Sequence, residues 1–157
     1  MIHFQRNLVI NAGVEAVWEE LSRFMYINEF APLVKSVEAL TDGENGVGSK
    51  RRCHFEDGGS VAEEIVDWNE NKNYRVLLSE TEPMPLKRAF AEIAIETKGP
   101  AETNVVWSMD YQVKYGPLGW LMGQTMMKMM MGKVLDANLK GLADKVQSRQ
   151  LVSANAA

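Results

Sequence analysis

The spacing of apolar residues along the chain changes several times, and each change predicts a new element. Mixed alternation over Ile2 to Ile10 predicts a first strand. Apolar residues then recur at helical spacing over 12–25, and a short second helix or turn follows before Pro32, since proline disfavours helix in the residue before it. A strand pattern returns over Val34 to Leu40, which predicts a second strand.

A β-hairpin is predicted around Gly58 and Gly59. Strands over 49–57 and 60–68 flank this pair, and a two-residue glycine loop is typical of primed hairpin turns. Opposed residues share one face of a sheet, so this loop fixes which side chains lie together. The more apolar face, which we take as inward, then carries Arg51, Cys53, Phe55, Ala62, Glu64, Val66 and Trp68.

Three further strands and one long helix complete the pattern. The strands are predicted over 73–80, 87–97 and 102–114, and the last has a clear apolar stripe formed by Val105, Trp107, Met109, Tyr111 and Val113. A helix from about Leu118 to Gln147 would be roughly 45 Å long, enough to cross a domain. Segregated strands and helices of this kind predict an α+β fold with the long helix packed on an antiparallel sheet.

The long helix divides into two halves. A uniform helical projection places Leu121, Leu135, Leu139, Leu142 and Val146 on one line, with Lys128 and Gly132 on the same line. The first half is apolar almost all round, with Met122, Met126 and Met129 on one flank and Met127 and Met131 on the other. These methionines line a ligand site, form a patch for a second copy or a membrane, or pack under the loop that contains Pro83 and Pro85.

Composition narrows the classes of protein. The chain has 157 residues, 46% hydrophobic and 24% charged, as expected for one globular domain, here assigned to residues 1–148 with a flexible tail over 149–157. A net charge of −4 argues against nucleic acid as a partner. One cysteine and two histidines offer no disulfide and no metal cluster, and no cofactor is expected. Without a signal or membrane-spanning stretch, the expected compartment is the cytoplasm.

The order of several short motifs resembles the START-like, or SRPBCC, helix-grip superfamily. The motifs are Val14-Glu15-Ala16-Val17-Trp18 after the first strand, Phe30-Ala31-Pro32-Leu33-Val34, Gly46-Val47-Gly48-Ser49-Lys50-Arg51, the hairpin over 57–65, and Thr103-Asn104-Val105-Val106-Trp107. The chain looks most like the polyketide cyclase/dehydrase and lipid-transport branch, which shares its fold with the birch pollen allergen. The resemblance covers about residues 2–148. It implies a curved antiparallel sheet of six to seven strands around the long helix, two short helices after the first strand, and a cavity for a hydrophobic small molecule.

The candidate site residues follow from the predicted faces. Arg51 and Glu64 are either a polar anchor for a ligand or an ion pair at the sheet rim, because a charge on an apolar face needs a partner. The other ligand-binding candidates are Trp68, Trp107, Met109, Tyr111, Met122, Met126, Lys128 and Met129. Cys53 is predicted to be a small buried hydrophobe, and His54 to form a surface pair with Glu63.

Three functions remain open. The first is binding or transport of a lipid, isoprenoid or aromatic polyketide-like molecule, with Arg51, Glu64, Tyr111 or Lys128 fixing its orientation. The second is a cyclase, dehydratase or isomerase in which Glu64 exchanges the proton. The third is an interaction module that docks through the methionine-rich helix to a second copy of the chain, another protein or a membrane.

Overall fold

The computed structural model describes the backbone of residues 1–156 and the side chains of residues 1–152. Within residues 1–156, seven strands form one antiparallel sheet in the order β1-β7-β6-β5-β4-β3-β2. The strands are β1 (Ile2–Ile10), β2 (Val34–Ala39), β3 (Lys50–Phe55), β4 (Ser60–Asn69), β5 (Asn73–Ser79), β6 (Leu86–Gly99) and β7 (Glu102–Val113). Helix α1 (Val14–Leu21) and a 3-10 helix (Phe24–Glu29) connect β1 to β2. The predicted α+β, helix-grip architecture is confirmed.

The C-terminal helix runs from Gly116 to Ala156, further than the predicted end near Gln147. It consists of α2 (Gly116–Met122), a π-helical turn (Gly123–Met127) and α3 (Lys128–Ala156). The flexible tail over 149–157 stays a prediction, and its last residue lies outside the described residues.

Helix α3 packs on the sheet through the predicted apolar stripe of Leu135, Leu139, Leu142 and Val146, all buried. Gly141 lets helix α3 lie close to Phe30, the residue that follows the 3-10 helix. A Cβ built on Gly141 would lie only 1.9 Å from the carbonyl oxygen of Phe30. Most of the stripe in the second half of the helix therefore lies as the sequence predicts.

The first half of the helix departs from the uniform projection. Leu121 was placed on the same buried stripe, yet its side chain is 54% exposed. The π-turn explains this difference, because i→i+5 hydrogen bonds add a residue to the turn and change the phase of everything around it. Met127, in the π-turn, is buried and Met126 faces outward. Met131 is buried because it lies one α-helical turn before Leu135, while Met129 faces outward.

The β3–β4 hairpin has a different register from the predicted one. Arg51 pairs with Glu63, and Lys50 pairs with Glu64. The loop is longer than two residues: the amide of Phe55 donates to the carbonyl of Gly59 over 2.8 Å, which leaves a three-residue loop with Gly58 at φ 92°. The odd shift in register turns every β4 side chain in this ladder to the opposite face, so Glu63 lies inside and Glu64 outside.

A β-bulge between Ile65 and Asp67 reverses the alternation again further along β4. Trp68 therefore returns to the face of Tyr74, and the two rings stack with centroids 5.3 Å apart. Trp18 meets Trp68 edge-on at 5.2 Å. This aromatic cluster packs one end of the sheet against α1.

Candidate functional site

An interior cavity of about 450 Å³ lies between the sheet and helix α3. Its walls are mostly apolar. They are formed by Val76, Ala91, Ile93, Trp107 and Met109 from the sheet and by Met130, Met131, Val134 and Leu135 from the helix. Exposed lining residues, among them Leu33, Pro83 and Met130, mark its opening to solvent. The volume falls in the range of about 300–1,000 Å³ that is usual for small-molecule sites.

A buried ion pair forms the polar part of the cavity wall. Nε of Arg51 donates to Oε2 of Glu63 over 2.7 Å, and Nη2 donates to the same oxygen. Arg51 is 2% exposed, whereas the Glu63 side chain is 14% exposed. Adjacent antiparallel strands place the two residues directly opposite each other, so the β3–β4 register creates this pair.

The remaining surface of the Arg51 guanidinium is also occupied. Nη1 donates to the backbone carbonyl of Phe24, and the guanidinium carbon lies 3.8 Å from the centre of the Phe24 ring. Burial alone would lower the pKa of Arg51, but the adjacent Glu63 carboxylate raises it above its ordinary value. The guanidinium is therefore charged, and each of its three nitrogens already has a partner.

Cys53 and Tyr74 line the cavity beside this ion pair. Burial, reinforced by the Glu63 carboxylate, raises the pKa of the Cys53 thiol to about 12. Its sulfur lies 3.9 Å from Oε2 of Glu63. Burial also raises the pKa of Tyr74 to about 12. At neutral pH the Cys53 thiol and the Tyr74 hydroxyl are both uncharged hydrogen-bond donors. Cys53 is the buried thiol that the sequence predicts.

Asn138 supplies an amide to the cavity wall from helix α3. The residue is 7% exposed, and its Oδ1 has no hydrogen-bond partner among the described residues. Buried polar atoms are nearly always paired, and leaving one unpaired costs about 1–3 kcal/mol. Sequence reasoning missed this residue, although it lies three residues after Leu135 and four before Leu142 and so falls on the buried stripe.

Three of the predicted ligand-binding residues line the cavity: Arg51, Trp107 and Met109. The described residues that form its wall include Met130 and Met131 rather than Met122, Met126, Lys128 and Met129. The phase change at the π-turn bears on Met122 and Met126, whereas Lys128, Met129, Met130 and Met131 follow the turn and share the continuous α-helix of Leu135.

Glu64, Trp68 and Tyr111 also lie away from the cavity wall. Glu64 is on the outer face of the sheet opposite Lys50, and Trp68 belongs to the aromatic cluster beside Tyr74. Tyr111 is fully buried and donates its hydroxyl hydrogen to the carbonyl of Gly123, at the π-turn.

The predicted pairing of His54 with Glu63 is wrong, because the β3–β4 register differs from the predicted one. His54 lies opposite Ser60 in the ladder, and its Nε2 is 3.3 Å from a carboxylate oxygen of Glu38. Within the part of the chain that the structure describes, no three His, Cys, Asp or Glu side chains are placed to hold a metal ion. No described helix is long and apolar enough to cross a membrane.

An antiparallel sheet that grips a long helix around an apolar cavity defines a ligand-binding helix-grip domain. The chain belongs to the polyketide cyclase/dehydrase and lipid transport family, whose model matches residues 1–147. No curated protein sequence matches the chain.

Several solved structures have the same fold. An aromatase/cyclase from a Streptomyces species is 18% identical with a TM-score of 0.79, and the match covers 94% of each chain. A START superfamily protein from Mycobacterium smegmatis is 21% identical with a TM-score of 0.75, covering 93% of this chain and 97% of the other. A point mutant of norcoclaurine synthase from Thalictrum flavum is 16% identical with a TM-score of 0.74, covering 95% and 96%. At these identities the likeness concerns the fold.

Proposed function

We propose that this protein binds an uncharged, largely apolar small molecule that carries a hydroxyl or N–H donor. The observation that carries the proposal is the buried Oδ1 of Asn138, an acceptor without a partner in an otherwise apolar cavity wall. Oδ1 itself has less than 1 Å² of accessible surface, so a ligand donor reaches it once the Asn138 side chain rotates towards the cavity. The hydrogen bond formed there would remove the cost of leaving the oxygen unpaired.

The ion pair supports the same class of ligand. Arg51 is the natural anchor for a ligand carboxylate, but its nitrogens are already bound to Glu63 and Phe24. A ligand carboxylate would also meet the negative charge of Glu63, which lines the cavity. Arg51 and Cys53 both approach Oε2 of Glu63, which leaves Oε1 to accept a hydrogen bond from the ligand. The cavity therefore favours neutral donors over anions.

Apolar burial supplies most of the affinity in this account. The cavity walls offer aromatic, aliphatic and thioether surface, and apolar contact contributes about 25 cal/mol for each Å² removed from water. Lipid alcohols, isoprenoid alcohols and phenolic polyketide-like molecules all combine this surface with a donor. The cyclase or isomerase alternative loses its named acid–base residue, since Glu64 is on the outer face of the sheet.

The experiment measures the affinities of two matched ligands, 2-naphthol and 2-naphthoate, by their displacement of a fluorescent apolar dye from the protein. We expect the naphthol to bind more tightly. We expect Asn138→Leu to weaken naphthol binding by about fivefold, equivalent to one hydrogen bond of about 1 kcal/mol, without weakening naphthoate. Leucine has the branched shape of asparagine but is larger, so naphthoate binding also serves as the control for any loss of cavity volume.

Circular dichroism of Asn138→Leu gives the control for folding, and its stability should not fall because an unpaired buried acceptor is removed. Tighter binding of the naphthoate than of the naphthol, or an equal loss of both in Asn138→Leu, would refute the assignment of the cavity to neutral donors. Binding of neither compound by the wild-type protein would refute the binding function itself.

A further inference from the structure

The tip of the C-terminal helix carries an unusually apolar exposed surface, here called the helix-tip surface. Its seven members are between 52% and 75% exposed: Tyr115, Leu118, Trp120, Leu121, Met126, Met129 and Met130. Large apolar side chains exposed together mark an interaction site more often than single ones do.

The π-turn brings the aliphatic and methionine side chains of this surface into line. Leu118 and Leu121 are three residues apart, which places them on one side of α2. The π-turn then spaces neighbours five residues apart, so Met126 follows Leu121 on that side, and Met129 and Met130 follow one turn later. Without this turn, the sequence would place Leu121 on the buried stripe and break the surface.

The charges along the helix segment of the helix-tip surface have one sign, whereas Glu56, Asp57 and Glu82 lie on the other side of the cavity opening. Lys114, Lys128 and Lys133 fall within it or next to it, and no acidic residue occurs between Asp110 and Asp136. The whole chain is acidic, with a net charge of −4, so this basic stretch is a local exception. Apolar and aromatic residues bordered by lysine are the composition of helices that lie at a membrane interface.

A second feature adjoins this surface. A cleft of about 370 Å³ is lined by Lys87, Lys114, Tyr115 and Trp120, among others. Lys114 lies 3.9 Å from the carboxylate of Glu82, which is 85% exposed, so this contact is weak and solvated. Two lysines beside two aromatic rings suit an anionic headgroup whose acyl chains lie against the neighbouring apolar side chains.

The helix-tip surface is continuous with the cavity. Met130 is 52% exposed and also lines the cavity, at its opening. An apolar path therefore leads from the exposed surface to the interior site. A second copy of the chain fits this surface less well, because both sides of a two-fold interface would carry the same lysines and this helix segment has no acidic residue to pair with them.

We propose that the helix-tip surface docks reversibly on a membrane that contains anionic lipid, with the Met130 side of the cavity opening next to the bilayer and the acidic side of the opening away from it. The apolar side chains enter the headgroup region, and the lysines contact anionic headgroups. Docking of this kind lets an apolar ligand pass between bilayer and cavity without crossing water.

The test is co-sedimentation of the purified protein with vesicles of phosphatidylcholine mixed with phosphatidylglycerol, compared with vesicles of phosphatidylcholine alone. We expect binding to the mixed vesicles that weakens with added salt. The double variant Met126→Ser/Met129→Ser should bind at least tenfold more weakly, since two exposed apolar side chains no longer enter the bilayer. Lys133→Gln should reduce binding about fivefold.

A matched control comes from the same helix. Leu151 and Val152 are 67% and 69% exposed, and Leu151→Ser/Val152→Ser removes comparable apolar surface at the opposite end. It should bind the vesicles as the wild type does. Equal loss in both double variants, or no binding to the mixed vesicles, would overturn the proposal. So would a dimer in light scattering that Met126→Ser/Met129→Ser abolishes, since the surface would then be a self-interface.

Failure of this proposal can be told apart from failure of the ligand-binding function. Met126 and Met129 lie outside the cavity wall among the described residues, so their variant should bind 2-naphthol in solution with unchanged affinity. Asn138→Leu, in turn, should bind vesicles normally.

Discussion

The ion pair between Arg51 and Glu63 makes a sharp prediction about stability, because its neighbour Glu64 provides a matched control. Glu63→Gln removes the charge that compensates a guanidinium only 2% exposed to solvent. Breaking a buried pair by removing one partner costs about 3–5 kcal/mol. Glutamine keeps a carbonyl that can accept from Arg51, and the Glu63 side chain is 14% exposed, so we expect the lower end, about 3 kcal/mol.

Glu64→Gln makes the same chemical change one residue later, on the outer face opposite Lys50. Glu64 is partly exposed and forms no ion pair among the described residues, so we expect a loss of less than about 0.5 kcal/mol. Urea denaturation followed by tryptophan fluorescence measures both variants. With a slope of about 2 kcal/mol per M, Glu63→Gln should lower the midpoint by about 1.5 M and Glu64→Gln by almost nothing.

A double replacement separates loss of a contact from exposure of a bare charge. Arg51→Met/Glu63→Leu removes both charges, so it should recover most of the stability lost in Glu63→Gln. The result that would refute the reasoning is an equal cost for Glu63→Gln and Glu64→Gln, or a larger cost for Glu64→Gln. A larger cost for Glu64→Gln is the result that the two-residue loop predicted from the sequence would give.

Further predictions concern the helix phase, the buried thiol and the close helix approach. Leu142→Ala should destabilise by about 2–5 kcal/mol and Leu121→Ala by less than about 0.5 kcal/mol in thermal unfolding, and equal losses would refute the π-turn phase. With a pKa of about 12, Cys53 should react with a maleimide at pH 8 roughly a thousandfold more slowly than an ordinary thiol, and rapid labelling of the native protein would contradict its burial. The folded state favours the protonated thiol, so stability from this group is complete below pH 9 and declines above it. At pH 10 about 1 kcal/mol should be lost, and Cys53→Ala should flatten this slope. Gly141→Ala should destabilise by more than about 2 kcal/mol, because its Cβ would overlap the Phe30 carbonyl, and a neutral effect would argue against that approach.

The sequence predicts the fold well because periodicity reports burial directly. The β7 stripe of Trp107 and Met109 lies in the cavity wall, and Leu139 and Leu142 are buried where the helical projection places them. Such predictions require only that the buried face of a single strand or helix be recognised from its apolar residues.

The site was harder to predict because it depends on events that shift a pattern by one residue. The three-residue hairpin loop exchanges Glu64 for Glu63, and the π-turn takes Leu121 out of the buried stripe. Gly58-Gly59 is compatible with both loop lengths, and a π-turn has no strong signal in composition. Asn138 was detectable in principle, as an amide in an otherwise apolar stripe of the helix.

Methionine methyl groups offer the most direct test that the ligand occupies the interior cavity. The chain has ten methionines, and some line the cavity while others are exposed on the helix-tip surface. With methyl-¹³C-labelled methionine, titration with 2-naphthol should shift the resonances of Met109 and Met131 and leave those of Met126 and Met129 unchanged. Shifts at Met126 and Met129 with Met109 and Met131 unmoved would contradict the account, because the ligand would then bind outside the fold.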